Sequence, residues 1–313
     1  LTRTSSLSYA EPTMRNPMRS HCYPLSFLLF LTFTAQTTLG AESGLIADDA
    51  QVVEVQCGFA FIEGPVSDAV GNLYFTDIDN NRLHKLAPTG DLSSFHEPSN
   101  RANGLTLDLD GGLLICEQEA QRLVKMDANG NISVIADGYQ GKPFNSPNDA
   151  WVHPNGSIYM TDPRYQYPQG SLAQDGEYVY RISPQRNEVT AIITDIPKPN
   201  GVVGTEDGKT LYIASTELRK VFRYTINEDG SVANRTEFAD QGSDGMTLDE
   251  HGNVYLTWLG GVSIRNPSGE QIDFIRTEQM PANVGFGGRD GKTLFMTART
   301  SLYSLQMNVE ASR

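Results

Sequence analysis

The stretch EGPVSDAVGNLYFTD, residues 63–77, decides the fold because it returns five more times along the chain. NGLTLDLDGGLLICE starts at 103, NDAWVHPNGSIYMTD at 148, NGVVGTEDGKTLYIAS at 200, DGMTLDEHGNVYLTW at 244 and NVGFGGRDGKTLFMTA at 283. Each copy opens on a carboxylate or amide residue. A short apolar run follows, then a turn holding Gly, then a second apolar run that usually carries Thr near its end. The turns GN, DGG, PNG, DGK, HGN and DGK hold residues tolerant of positive φ, so each copy reads as a β-hairpin. The starts are 40, 45, 52, 44 and 39 residues apart. That period is one four-stranded propeller blade.

Further strand-like runs lie between the copies: RLHKLAP and LSSFHE after the first, RLVKMDANG and ISVIAD after the second, VFRYTI and TEFAD after the fourth. Long helical periodicity is absent. The sixth copy is followed only by SLYSLQM, which leaves its unit one strand short. The run QVVEVQC, residues 51–57, precedes the first copy and has no local partner. Pairing these two ends closes the ring and removes exposed sheet edges. The sequence therefore predicts an all-β, six-bladed β-propeller whose N-terminal strand closes the last blade, as a single domain over residues 42–310. The segment PRYQYPQGSLAQDGEY, residues 163–178, reads as an ordered surface loop inserted in blade three.

Residues 1–41 read as an N-terminal extension and signal peptide. From Met18 there is a basic start at Arg19, an apolar run from Tyr23 to Phe33, and small residues ending at Gly40 and Ala41. The apolar run is shorter than the roughly 20 residues of a membrane span. The expectation is export, to a periplasm or the outside, with no stable membrane insertion after cleavage. The whole chain carries a net charge of −14. The leader contributes Arg3, Arg15, Arg19 and Glu11, so the remainder is more acidic still and repels nucleic acid. Outside the leader, Cys57 and Cys116 read as small buried apolar residues, with a Cys57–Cys116 bridge as the alternative in an oxidising compartment.

The first strand of a propeller blade is innermost and lines the central channel. The opening residues of the six copies, Glu63, Asn103, Asn148, Asn200, Asp244 and Asn283, therefore gather around one channel mouth. All are oxygen donors, which suits a hard cation such as Ca²⁺. Six such ligands leave no room for water and substrate, so a subset must bind. Asn and Asp before Gly also serve ordinary turns by bonding the local backbone, so the pattern alone leaves both readings open.

The motifs IEGP (62–65), SPND (146–149), PNG (199–201), SDGM (243–246) and FGGRDGKTLFMTA (286–298) make residues 51–307 resemble the gluconolactonase/regucalcin (senescence marker protein) family. A more distant similarity is to diisopropyl fluorophosphatase and paraoxonase. The resemblance implies the same six-bladed propeller and selects Glu63, Asn148, Asn200 and Asp244 as metal ligands, with Asn103 lining the substrate pocket. Regucalcin-type members carry an arginine two residues before the SPND-like asparagine. Ser146 stands there in this chain, which fits the bacterial gluconolactonase branch.

The implied activity is metal-dependent opening of a small sugar lactone, with Ca²⁺ expected first and Zn²⁺, Mg²⁺ or Mn²⁺ as alternatives. In this scheme the ion activates the ester carbonyl as a Lewis acid and water attacks. Asp244 is the expected general base and Glu63 the alternative. Asp149 would orient Asn148 from behind, and Arg101 and Glu117 would contact substrate hydroxyls. Two other functions remain open on the same residues: hydrolysis of another ester or a phosphotriester, and a non-catalytic ligand-binding propeller with a structural ion. GTEDGKT (204–210) and GGRDGKT (287–293) lack phosphate-loop spacing and read as hairpin turns.

Overall fold

The structure, a computed structural model, describes residues 43–312. The expected signal peptide lies outside the described residues. Every regular element among them is a β-strand, and 24 of the strands form six four-stranded antiparallel sheets.

Blade one is Ile62–Ser67, Leu73–Asp77, Arg82–Leu86 and Leu92–His96. Blade two is Ala102–Leu107, Leu113–Glu117, Arg122–Met126 and Ile132–Ala136. Blades three, four and five open on Ala150–Val152, Pro199–Gly204 and Met246–Leu248. Blade six is Asn283–Gly287, Thr293–Ala298 and Ser301–Gln306, and its outermost strand is Val53–Cys57, paired antiparallel with Ser301–Gln306. The ends of the propeller thus close one sheet, as the missing strand of the sixth copy required. Each innermost strand touches the innermost strands of both neighbouring blades, so the ring is complete.

Alternation within the strands supplies the core. Residues on one face of a blade bury against the facing side of the next: Tyr159 and Val179 of blade three pack with Leu211, Ile213 and Tyr224 of blade four. Tyr255, Val262 and Ile264 of blade five pack with Leu294, Met296 and Tyr303 of blade six. Each such side chain contributes about 1.5–3 kcal/mol when fully buried. Cys116 belongs to this core. It is a free, buried thiol, so the alternative Cys57–Cys116 bridge is not formed.

The recurrent Thr-Asp ending of the second strand has a structural cause. Thr reaches across to the next blade: Thr76 Oγ1 donates to the Asn103 carbonyl at 3.0 Å, and Thr161 Oγ1 to the Asn200 carbonyl at 2.7 Å. Asp caps the loop that enters its own blade. Asp77 accepts from Phe61 N at 3.1 Å, and Asp162 accepts from Asn145 N and Ser146 N at 2.8 and 2.7 Å. These bonds fix the segments that carry the opening residue of each copy.

The glycines that follow those opening residues allow the blades to meet. Gly64 holds φ 53°, in the left-handed region. A Cβ on Gly201 would sit 2.4 Å from the Asp244 carbonyl oxygen of the next blade. Gly201→Ala is therefore expected to lower stability by about 1–3 kcal/mol through forced separation of blades four and five. Equilibrium urea unfolding checks this, and an unchanged midpoint would show that the blades do not meet there.

Candidate active site

The channel contains two cavities, one toward each mouth. The larger, about 620 Å³, is lined mainly by the apolar middles of the innermost strands, with Asp149 and Asn283 among its polar residues. The smaller, about 400 Å³, collects Glu63, Asn103, Asn148, Asn200 and Asp244 with Phe61, Ile78, Asp79, Gln118, Tyr165, Gln166 and Arg299. Volume does not select the site. The smaller cavity holds the converging oxygen donors, and five of the six opening residues meet there.

Each donor is held from behind. Glu63 is 2% exposed, and its Oε2 accepts from the Gly64 N–H at 2.9 Å. The Asn148 carbonyl accepts from Gly104 N at 2.7 Å, and its own N–H donates to the Thr161 carbonyl at 2.9 Å. The amide of Asn200 donates to Tyr165 Oη at 2.9 Å. The Asp244 N–H donates to Thr257 Oγ1 at 3.1 Å, and its side chain stays partly open to the cavity. Asn283, the sixth, lies on the other side of this layer. Its amide supports the Glu63 carboxylate, and its Oδ1 accepts from Val284 N at 2.8 Å.

The two carboxylates are uncomfortable. Burial pushes Glu63 well above the ordinary carboxylate range, and neighbouring Asp244 pushes it further. Burial raises Asp244 to about 6, against opposing hydrogen bonding from Asn200 and the charge of Arg299. Asp149, beneath Asn148, is raised to about 7 by burial, despite the N–H groups of Ala150 and Val202 that it accepts from. The side-chain amides of Asn103, Asn148 and Gln118 line the same cavity and have no hydrogen-bond partner among the described residues. Two crowded carboxylates beside unclaimed amide oxygens fit a hard cation, whose charge would relieve the repulsion. Among the described residues there is no group of three or more His, Cys, Asp or Glu that could hold a metal. The donor set here is mixed carboxylate and amide.

Arg101 and Glu117 are not brought to the cavity wall. Glu117 ends its strand where Asp77 and Asp162 end theirs, and it does comparable work. It is 1% exposed and accepts from Asn100 Nδ2 at 3.0 Å, with Arg122 as its ion-pair partner. Arg101 donates to the carbonyls of Ile78 and Asp79 and stacks on Tyr167, so it shapes the wall from outside. The segment 163–177 between strands Ile158–Asp162 and Tyr178–Ile182 is the expected loop over one face. It reaches across the mouth: Gln166 Nε2 and Tyr167 Oη donate to Asp79 Oδ1 at 3.0 and 3.2 Å, and Tyr165 Oη bonds Thr216 Oγ1 at 2.8 Å.

The sequence reading missed Phe61, Gln118, Tyr165, Gln166 and Arg299. Gln118 and Arg299 directly follow the second strands of blades two and six, and that column of the repeat was a readable signal.

Comparison with known proteins adds identity to this geometry. The family profile described as "SMP-30/Gluconolactonase/LRE-like region" matches residues 61–300. A gluconolactonase of Zymomonas mobilis is 31% identical over 270 residues, covering 75% of each chain. A gluconolactonase structure from Xanthomonas campestris superposes with a TM-score of 0.80 at 24% identity, covering 86% of this chain and 93% of that one. The Agrobacterium tumefaciens calcium-binding protein regucalcin superposes with a TM-score of 0.70 at 22% identity, over 85% and 95% of the two chains. At such identities the last two likenesses are of fold.

The raised carboxylates give a stability prediction with a definite sign. A carboxyl whose folded pKa exceeds its unfolded value holds a proton that the unfolded chain releases. Its contribution is greatest below the unfolded pKa and is lost as pH rises through the folded pKa. For Asp149 and Asp244 that window runs from the ordinary aspartate value of 3.8 to about 7 and about 6. Carboxylates held low, such as Asp77 and Asp108, titrate below it. Chelator-treated protein is expected to unfold at lower urea at about pH 8 than at about pH 5, with Asp149→Asn flattening the slope. Equal stability at both values would contradict the burial of these charges.

Proposed function

The chain belongs to the SMP-30/gluconolactonase/LRE-like family, a family of lactonases, and on that premise we propose that it opens a sugar lactone at the Glu63–Asp244 cavity using a divalent cation. The carrying observation is the convergence of two destabilised carboxylates and unclaimed amide groups on one enclosed space. Glu63, Asn148, Asn200 and Asp244 would hold the ion. Ca²⁺ is the first candidate on the oxygen-only donors, a reading supported by the description of the Agrobacterium fold neighbour as calcium-binding. When bound, the ion supplies Lewis-acid polarisation of the ester carbonyl and charge to offset the developing oxyanion.

The chain's own residues divide the remaining work. Asp244, the more open carboxylate, accepts a proton from the attacking water and returns it to the ring oxygen as the ester C–O bond breaks. Glu63 is pinned by Gly64 and Asn283 and acts as an anchor. Asn103 and Gln118 present free amides to substrate hydroxyls. Tyr165 holds Asn200, and the 163–177 segment covers the mouth and keeps bulk water out. The signal-peptide pattern read in residues 18–41 supports export as part of this proposal.

Asp244→Asn is expected to lower kcat/KM on gluconolactone at least about 100-fold while leaving the β-sheet circular dichroism spectrum unchanged. Retained turnover would remove Asp244 from the chemistry. Protons compete with a cation for carboxylates, so Ca²⁺ added to chelated protein is expected to raise Tm more at about pH 8 than at about pH 5, with Glu63→Gln blunting the rise. No cation-dependent shift at either pH would contradict the ion site.

A further inference from the structure

Arg299 supplies the one basic side chain among the residues that line the smaller cavity, and its charge acts on Asp244 across that space without an ion pair between them. The turn that carries it is short. Blades one, two and four join their second and third strands through four residues, whereas blades five and six use two, in blade six Arg299 and Thr300 between Thr293–Ala298 and Ser301–Gln306. Two-residue hairpins with positive φ at the first position favour Gly there. Arg299 adopts φ 55° instead.

The turn and its side chain are both held in place. The Arg299 carbonyl accepts from Ile62 N at 2.9 Å, which ties the turn to the segment carrying Glu63. The guanidinium stands over the Phe61 ring, 5.4 Å from its centroid, so its approach to the cavity is fixed. It makes no ion pair and no hydrogen bond among the described residues. By contrast, Arg101, Arg122 and Arg235 are each bound to a carboxylate or to carbonyl oxygens. A stacked guanidinium with no hydrogen bond of its own offers a planar fork of donors matched to an oxyanion. In a chain of net charge −14, it is a local exception to a surface that repels anions.

We propose that Arg299 is a specificity-determining residue that binds an acidic substituent on the lactone, so that the preferred substrate class is sugar lactones bearing a carboxylate, sulfonate or phosphate away from the reacting ester. Gln118, on the opposite flank of blade one, is the free amide available to the neighbouring hydroxyls of such a substrate. This inference takes its reaction from the lactonase reading, but the anion site itself is testable without turnover.

The test compares wild type and Arg299→Met, which removes the charge and keeps an unbranched chain over Phe61. The substrates are neutral gluconolactone and the carboxylate-bearing lactone of glucaric acid. Wild type is expected to prefer the acidic lactone. In Arg299→Met the acidic-over-neutral ratio of kcat/KM should fall about tenfold to a hundredfold, mostly through KM, with Arg299→Lys recovering part of it. Phosphate- and sulfonate-bearing lactones then rank the three oxyanions. An equal fall for both lactones would place Arg299 at the reacting ester and overturn the proposal. Calorimetric binding of glucarate and gluconate provides the arm that needs no catalysis. Tighter glucarate binding that Arg299→Met abolishes supports the anion site even if neither lactone is hydrolysed. Glucarate binding unchanged in the variant overturns it.

Discussion

Everything in this molecule depends on six innermost strands meeting backbone to backbone around one axis. The contacts are short and specific. Gly104 N donates to the Asn148 carbonyl at 2.7 Å, Gly245 N donates to the Ala282 carbonyl at 2.7 Å, and the hydroxyls of Thr76 and Thr161 reach the carbonyls of Asn103 and Asn200. These bonds tie the main chain at Asn103, Asn148 and Asn200, and at Ala282 just before Asn283, to the adjacent blade, while Glu63 and Asp244 are held by Gly64 and Thr257 of their own blades. Closure of blade six by Val53–Cys57 holds the ring shut, and a gap there would let all six positions drift.

Ring geometry explains how a strongly acidic chain keeps two carboxylates so near each other. Glu63 and Asp244 come from blades one and five, on either side of blade six, whose Asn283 supports Glu63 from beneath. Neither acid has a cationic ion-pair partner among the described residues, and both are raised by burial. An isolated fold gains nothing from such an arrangement. A site that takes up a cation does, because the ion's binding energy is largest where the ligands are already assembled and poorly solvated. The 163–177 segment adds a cover held through Asp79, Thr216 and Asn200.

The architecture was legible in the sequence because a propeller writes its period into the turns. The hairpin glycines, the Thr that crosses to the next blade and the short final copy together specified six blades and the closing strand. The opening column of the repeat supplied six oxygen donors, and the family resemblance selected Glu63, Asn148, Asn200 and Asp244 among them. The walls of the cavity were harder to read because they do not lie in that column. Gln118 and Arg299 follow the second strands, and Tyr165 and Gln166 lie in an insertion with no counterpart in other blades. Glu117 looked chemical from its type, but the strand places it one residue before the cavity, beside Asn100 and Arg122. Cys116 is the buried core residue its type suggested, whereas Cys57, read the same way, lies on the outermost strand of blade six and is only half-buried.

The central claim is that four residues from four blades converge on one cation. The most direct measurement is anomalous diffraction from crystals of the chelated protein soaked in Mn²⁺ or Ca²⁺. The account predicts one strong site within coordination distance of Glu63, Asn148, Asn200 and Asp244, on the Arg299 side of the channel. An ion ligated in the larger cavity beneath Asp149, or no ion in the channel at saturating concentration, would contradict it.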